Sequence, residues 1–303
     1  MGGVVIIAAT VLGFLLAHIR VWEWGTGPNL RLIPISGQGW LALMAFLGMG
    51  VIGFSDDFVK YARKQNMGLS KRWKFLGQIL VAVLFAWGAV ALGTSTELAF
   101  TRGLGIDLGP WLYGLLVLFL LTAAANAVNL TDGLDGLVAG SGGLVFGAFV
   151  LIAFWQSRNP EIYPFAGAAD LAVFAGAIVG AVLGFLWWNA APARIFMGDT
   201  GSQAIGGALA AIALLTSTHL LLIPLGGLYV MTTVSEILQV FTFKMWGKRI
   251  FKMAPIHHHF ELKGWPETTI IVRFWILAGL GVAVGVGLFY ADFLRITNGG
   301  VLP

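Results

Sequence analysis

The chain alternates long apolar stretches with short polar segments. Nine of the stretches can cross the ~30 Å hydrocarbon core of a bilayer as helices, and they lie at residues 3–19, 38–55, 75–93, 110–126, 136–155, 166–188, 202–217, 219–242 and 269–294. Only a short polar segment separates the seventh stretch from the eighth, so the count of nine has an error of one. The pattern predicts an all-α polytopic membrane protein in which residues 1–303 form one domain.

The composition supports a membrane protein and limits the chemistry. Hydrophobic residues make up 58% of the chain and charged residues 11%, whereas soluble domains contain about a quarter charged residues. The absence of cysteine excludes disulfides, zinc–thiolate sites and thiol nucleophiles. A metal would therefore be held by oxygen or imidazole, and Mg²⁺ is the natural candidate.

The basic residues lie mainly on one side of the predicted membrane. If the spans alternate, the loops 56–74, 127–135, 189–201 and 243–268 share one face, and the loops 20–37, 94–109 and 156–165 share the other face with the C-terminus. The first face carries 13 of the 18 Lys and Arg residues, including all eight Lys. The positive-inside rule makes this face cytoplasmic and places the C-terminus outside. Topology also explains the net charge of +4, so we expect no nucleic-acid partner.

Two acidic motifs lie on the predicted cytoplasmic face. Asp56 and Asp57 end the second span, and Lys60 lies one helical turn after Asp56, so a carboxylate and an ammonium can address one phosphate and its metal. The alternative is a solvated helix end with an ordinary ion pair. In the motif 129–136, Asp132 and Asp135 share a face if the turn is helical, although helix capping by Asn129 or Thr131 is an alternative.

A third motif comes just before the seventh span. Asp199, followed by hydroxyl residues at a helix start, supplies oxygen ligands for a cation and backbone donors for an anion. The alternative is that Asp199 is a simple N-cap. Asn189 and Phe196 precede it, and Phe196 can stack on a base or anchor at the membrane interface.

Three consecutive histidines, His257, His258 and His259, form a fourth motif. Consecutive helical residues point about 100° apart, so these imidazoles are poorly arranged for one zinc ion and suit phosphate binding or proton transfer instead. Residues 243–253 before them predict an interfacial helix with a lysine stripe, or lysines that only set topology. The isolated His18 and His219 are predicted to be structural.

Together, carboxylates, cationic side chains and a divalent metal are the components of phosphoryl transfer. The rival hypothesis is an ion-coupled secondary transporter, which needs ionisable groups near the membrane midplane and a two-half repeat. Here the ionisable groups of the four motifs lie together on the predicted cytoplasmic face. Within the spans only Glu236 lies deep, and Asp170 lies near an end.

Four strings, FSDDFVK, NAVNLTDGLDGLVAG, FMGDTGS and MAPIHHHFELKGWPE, resemble the polyprenyl-phosphate N-acetylhexosamine-1-phosphate transferases over essentially the whole chain. Within that family the last string resembles the enzymes that transfer phospho-MurNAc-pentapeptide, rather than relatives that transfer GlcNAc-1-phosphate. The resemblance implies transfer from UDP-MurNAc-pentapeptide to undecaprenyl phosphate, which gives lipid I and UMP. It also implies Mg²⁺, a bacterial plasma membrane location and a homodimer.

The resemblance further implies roles for individual residues. Asp199 resembles the Mg²⁺ ligand, Asp56 and Asp57 lie near the metal and the lipid phosphate, and His258 is also expected to be catalytic. The expected substrate-binding residues are Lys60, Lys74, Asn129, Asp132, Asp135, Asn189, Phe196, His257, His258 and His259. Asp56 acts either as a base for direct attack by the lipid phosphate, or the reaction proceeds through a phosphorylated aspartate.

One departure from the family concerns the start of the chain. Family members begin with a further membrane helix and a loop that ends in a string like PTMGG, whereas this chain starts at Met-Gly-Gly. The nine predicted spans equal the family's ten minus the first. We therefore expect the start to be assigned too late or the chain to be truncated.

Overall fold

A computed structural model describes residues 2–23, 27–64, 67–297 and 299. The described part is mainly helical, and its helices are α1 (Gly3–Ala17), α2 (Gly37–Arg63), α3 (Lys71–Ala91), α4 (Gly109–Thr131), α5 (Leu137–Arg158), α6 (Ala168–Asn189), α7 (Gly198–Leu215), α8 (Leu222–Leu225), α9 (Gly227–Trp246), α10 (Ile256–Glu261) and α11 (Glu267–Thr297). Eight of the nine predicted spans coincide with one long helix each. The eighth span, 219–242, contains the short α8 and most of α9, and α10 is a short addition outside the spans.

Six of these helices are long and apolar enough to cross a membrane, namely α2 to α6 and α11. The prediction of an all-α polytopic membrane protein is confirmed. α1 is equally apolar but has only 15 residues.

Helix α7 runs through the middle of the bundle. Every residue from Thr200 to Leu215 is buried, so this helix packs against protein on all sides. Its small residues allow this packing, since a Cβ added at Gly206 would overlap the carbonyl oxygen of Ala124 on α4. Likewise, a Cβ added at Gly53 on α2 would overlap the carbonyl oxygen of Asp199. The backbones of α2 and α7 therefore meet directly where the acidic motifs lie.

Two antiparallel hairpins cover the end of the bundle opposite the acidic motifs. The first pairs β1 (Ile19–Glu23) with β2 (Gly27–Leu32), and the second pairs β3 (Glu97–Ala99) with β4 (Gly103–Asp107). The two histidines predicted to be structural lie beside these hairpins, and the side chain of His219 bonds to one of them. His18 bonds Asp170, and His219 Nε2 accepts a hydrogen bond from the backbone N–H of Ala99 at 2.8 Å.

The predicted interfacial helix at residues 243–253 is wrong. Gly247 adopts φ 64°, which favours glycine, and it ends α9 at Trp246. The basic residues that follow, Lys248, Arg249 and Lys252, lie outside helices and cannot form a helical stripe.

Candidate active site

The structure brings three carboxylates from two helices together. Asp56 and Asp57 lie near the C-terminal end of α2, and Asp199 lies in the first turn of α7. One oxygen atom from each of the three lies within 4.8 Å of the others. Such a cluster of hard oxygen donors has the chemistry of a divalent-cation site, and we refer to these three residues as the acidic cluster.

Two lysines balance the charge of the acidic cluster. The Nζ atom of Lys60 lies 2.6 Å from Asp56, 3.7 Å from Asp57 and 3.5 Å from Asp199. Lys74 Nζ, from the first turn of α3, lies 2.6 Å from Asp199 Oδ2. Burial raises the pKa of Asp199, but the hydrogen bond and charge of Lys74, helped by Asn129, outweigh it and lower that pKa to about 2. Asp199 is therefore ionised at any physiological pH.

Asp57 has a second role, because it caps α7 from the neighbouring helix. Its Oδ2 accepts hydrogen bonds from the backbone N–H and the hydroxyl of Thr200, at 3.0 and 2.7 Å. Its Oδ1 accepts from the backbone N–H of Asp199 at 3.3 Å. Gly198, with φ 68°, leaves the room for this contact. Asp57 thus fills the capping role that the sequence offered to Asp199, and the side chain of Asp199 points into the cluster.

Neighbouring segments fix the other members of the cluster. Asp56 is almost fully buried and accepts a hydrogen bond from the backbone N–H of Leu69 at 2.9 Å. Asn129, in the last turn of α4, donates to Asp199 Oδ1 at 3.0 Å and to Ser202 Oγ at 2.9 Å. The side chain of Asn129 therefore binds the acidic cluster and does not cap a helix. Ser202, one of the hydroxyl residues predicted to supply oxygen ligands, also donates to the carbonyl of Gly198 at 2.9 Å.

The loop after α4 meets the histidine motif. Gly133 is so close to His257 and His258 that an added Cβ would overlap His257 Nε2. Burial, followed by the charges of Asp199, Asp57 and Asp135, raises the pKa of Asp132 to about 7. This carboxyl is therefore part-protonated near neutral pH. The structure thus joins two motifs that are far apart in sequence.

The three histidines face different surroundings. His257 is fully buried, and neither ring nitrogen has a hydrogen-bond partner among the described residues. Burial and then the neighbouring His258 lower the pKa of His257 to about 4, so it is neutral at physiological pH. His258 pairs through Nδ1 with Glu261, a residue that the sequence reasoning missed although it follows the histidines by one turn. His259 turns toward Lys252 and accepts its backbone N–H at 3.0 Å.

Asp135 and Asn189 hold the segment that leads to Phe196. Asp135 Oδ2 accepts from the backbone N–H of Ala193 at 2.8 Å. The amide of Asn189 accepts from Gly136 N–H at 3.1 Å and donates to the carbonyl of Ile195 at 2.8 Å. Phe196 is 66% exposed at the end of this segment. In the structure, the first two side chains thus order the loop that presents the aromatic ring.

Comparisons with known proteins match this geometry. Residues 39–217, which carry the acidic cluster but not the histidines, match Glycosyl transferase family 4. Several curated proteins extend the similarity over almost the whole chain. One from Frankia alni is 48% identical over 314 residues, covering 99% of this chain and 86% of that protein. Another from Beutenbergia cavernae is 47% identical, covering 97% and 85%. A third, from Streptomyces griseus, is 46% identical, also covering 97% and 85%. All three are phospho-N-acetylmuramoyl-pentapeptide-transferases.

The chain belongs to the phospho-N-acetylmuramoyl-pentapeptide-transferase family. It is therefore a transferase, and the resemblance predicted from its four motifs is confirmed.

This family member has an apolar groove at the surface of the bundle. The groove has a volume of about 320 Å³ and lies between α4 and α9, with Leu209 of α7 among its lining residues. Phe119, Val234 and Ile237 line it and are exposed at the bundle surface, so the groove opens toward the lipid. Val128, also in its lining, directly precedes Asn129 of the site. The lining includes Val128 at one end and His219 at the other, so the groove runs along the bundle surface between α4 and α9.

Proposed function

We propose that the protein transfers phospho-MurNAc-pentapeptide from UDP-MurNAc-pentapeptide to undecaprenyl phosphate, giving lipid I and UMP. The observation that carries the proposal is the acidic cluster with its two lysines. A polyprenyl chain suits the apolar groove, whose lining includes Val128, the residue before Asn129. Family membership supports this pair of substrates.

We further propose that Mg²⁺ is the cofactor and that Asp199 is its main ligand, with Asp56 and Asp57 nearby. The donor set fits, since three carboxylate oxygens lie within 4.8 Å of one another and Mg²⁺ prefers oxygen ligands. When bound, the ion supplies neutralisation of phosphate charge. In the structure Lys60 and Lys74 neutralise the carboxylates, and their flexible ammonium groups can turn to the phosphates when a substrate arrives.

For the chemical step we propose that Asp56 accepts the proton of the lipid phosphate. The phosphate oxygen then forms a bond to the β-phosphorus of the UDP-sugar, the bond to the bridging oxygen breaks, and UMP leaves with that oxygen. Asp56 suits this role because the backbone N–H of Leu69 orients its carboxylate, and Lys60, 2.6 Å away, can bind the same phosphate. The two-step alternative forms a phosphorylated aspartate first. A covalent phospho-sugar adduct trapped without lipid would decide for the second route.

The remaining predicted contacts belong to the nucleotide sugar. Phe196, exposed beside the site, suits stacking on uracil. Asp132, Asp135, Asn189 and the three histidines are proposed to shape the pyrophosphate and sugar site, with His258 acting in proton transfer. Of these, His259 has the least direct geometry, because its ring faces Lys252. We also propose a bacterial plasma membrane location, a cytoplasmic site, an external C-terminus and a homodimer.

The assay that tests the function uses purified protein, undecaprenyl phosphate and Mg²⁺, with either UDP-MurNAc-pentapeptide or UDP-GlcNAc. We expect UMP and a labelled lipid product only from the first donor. UMP release from UDP-GlcNAc alone would favour a GlcNAc-1-phosphate transferase. No lipid product from either donor would contradict the proposal.

A further inference from the structure

Three amides, two of them buried and one exposed, lie one helical turn further into the bundle than the charged site. Gln78 follows Lys74 by four residues on α3, and Gln203 follows Asp199 by four residues on α7. On α4, Asn126 precedes Asn129 by three residues. Residues three or four apart share a helix face, so the same three helices carry a second polar layer about 4.5 to 6 Å below the first. We call Gln78, Asn126 and Gln203 the amide layer.

The hydrogen bonds of the amide layer run in one direction. Asn126 Nδ2 donates to the carbonyl oxygen of Thr122 at 2.8 Å, and a carbonyl can only accept, so the orientation of this amide is fixed. The same Nδ2 donates to Gln78 Oε1 at 3.5 Å. Gln78 Nε2 then donates to Gln203 Oε1 at 3.4 Å. This series of hydrogen bonds therefore links α4 to α3 and α3 to α7.

The two glutamines of the amide layer are buried inside the protein. Gln203 is fully buried, Gln78 is 2% exposed, and Gln203 Nε2 has no hydrogen-bond partner among the described residues. Three residues further along α7, Gly206 meets the α4 backbone directly. An apolar side chain would fill the position of Gln203 without an unpaired donor, so the amide is poorly explained by stability alone.

We propose that Gln78 and Gln203 are positioning residues for the transferase site. By tying α3 to α7 they hold the rotation that places Lys74 Nζ 2.6 Å from Asp199, with Asn129 Nδ2 3.0 Å away on the other oxygen. Groups that are hydrogen-bonded to a metal ligand, here Lys74 and Asn129, tune metal affinity and activity by about 10- to 100-fold, and the amide layer would act through them. The part of the inference that concerns metal affinity rests on the proposed Mg²⁺ function.

The test compares Gln203→Met and Gln78→Met with Gln156→Met as a matched control. Gln156 is also a buried glutamine, 1% exposed, but it donates to the Thr216 carbonyl at the opposite end of the bundle. Mn²⁺ binding by the whole protein is measured by electron paramagnetic resonance with the metal alone, together with steady-state kinetics. For the two layer variants we expect roughly tenfold weaker Mn²⁺ binding and a lower kcat, with an unchanged KM for the nucleotide sugar. Gln156→Met is expected to bind Mn²⁺ like the wild type.

A second readout needs no metal. The rate at which a small amine-reactive reagent labels Lys74, followed by mass spectrometry with the exposed Lys71 as internal reference, reports on the Lys74–Asp199 pair. We expect a several-fold faster rate in both layer variants and no change in Gln156→Met. Wild-type labelling and Mn²⁺ binding in both layer variants would overturn the inference. If the wild type binds Mn²⁺ no better than Asp199→Asn, the proposed metal function fails, and the labelling rates still decide the positioning role.

Discussion

The carboxylate of Asp57 on α2 caps α7 through Thr200, accepting both its backbone N–H at 3.0 Å and its hydroxyl at 2.7 Å. The first turn of α7, which carries Asp199, is therefore capped by a side chain of the neighbouring helix α2. A carboxylate at a helix N-terminus is favoured by unpaired N–H groups and by the helix dipole. Folding and the geometry of the site thus depend on the same residue.

Substitutions at Asp57 and Asp56 distinguish a residue that both caps α7 and serves the reaction from one that serves the reaction alone. Asp57→Ala removes the cap of α7, so we expect a loss of about 0.5–2 kcal/mol in the free energy of unfolding, as well as lost activity. Asp56→Asn leaves the cap intact and is expected to abolish activity without lowering the unfolding temperature. Thermal unfolding of both purified variants checks this. Equal destabilisation by both changes would show that Asp57 has no special capping role.

Lys74→Gln tests the electrostatics of Asp199. Without the ammonium the pKa of Asp199 rises from about 2, so the acid limb of the pH–activity profile moves to higher pH. We also expect kcat/KM to fall by roughly 10²-fold, because a donor to the reacting phosphates is lost. Lys71→Gln, an exposed lysine in the same helical turn, is the control. An unchanged acid limb in Lys74→Gln would contradict the assigned role.

Asp132 should destabilise the fold as the pH rises. Its pKa of about 7 lies above the ordinary value of 3.8 because of burial and then the charges of Asp199, Asp57 and Asp135. The folded state therefore holds the proton more tightly than the unfolded chain, and stability decreases between about pH 4 and pH 7. With chelator present, Asp132→Asn should unfold at a higher temperature than the wild type at pH 8, and the difference should vanish near pH 4. A constant difference across this range would refute the shift.

Gly53→Ala tests the close contact of α2 with α7. The new methyl group would overlap the carbonyl oxygen of Asp199, so we expect a loss of about 1–3 kcal/mol in the free energy of unfolding and a large loss of activity. Gly180→Ala on α6 is the matched control, since an added Cβ meets nothing within 4 Å there. It should be neutral or more stable by up to about 1 kcal/mol. Similar behaviour of both variants would argue against the tight α2–α7 contact.

The helices could be predicted from the sequence because apolar length is enough to identify them. The hairpins could not, because short strands around Gly27 and Gly103 lack a long alternating pattern. Hydropathy also fails to distinguish lipid contact from protein contact, so it gave no sign that α7 is surrounded by protein. The end of α9 was missed because Lys244, Lys248 and Lys252 are spaced as on one face of a helix. That spacing gives no sign of the left-handed conformation of Gly247, which ends the helix.

The acidic residues of the site could be named from sequence, but their division of labour could not. Capping of α7 by Asp57, and the contact of Gly133 with His257, join segments more than a hundred residues apart. The amide layer was invisible for the same reason, because Gln78 and Gln203 lie within apolar spans and gain meaning only when α3 meets α7.

The most direct test of the acidic cluster is UMP release from UDP-MurNAc-pentapeptide in the presence of undecaprenyl phosphate and Mg²⁺, compared between Asp199→Asn and Asp107→Asn. Asp107 is an exposed carboxylate at the opposite end of the bundle. We predict that Asp199→Asn lowers kcat by at least about 10²-fold and that Asp107→Asn keeps wild-type activity. UMP release by Asp199→Asn at the wild-type rate would contradict the account.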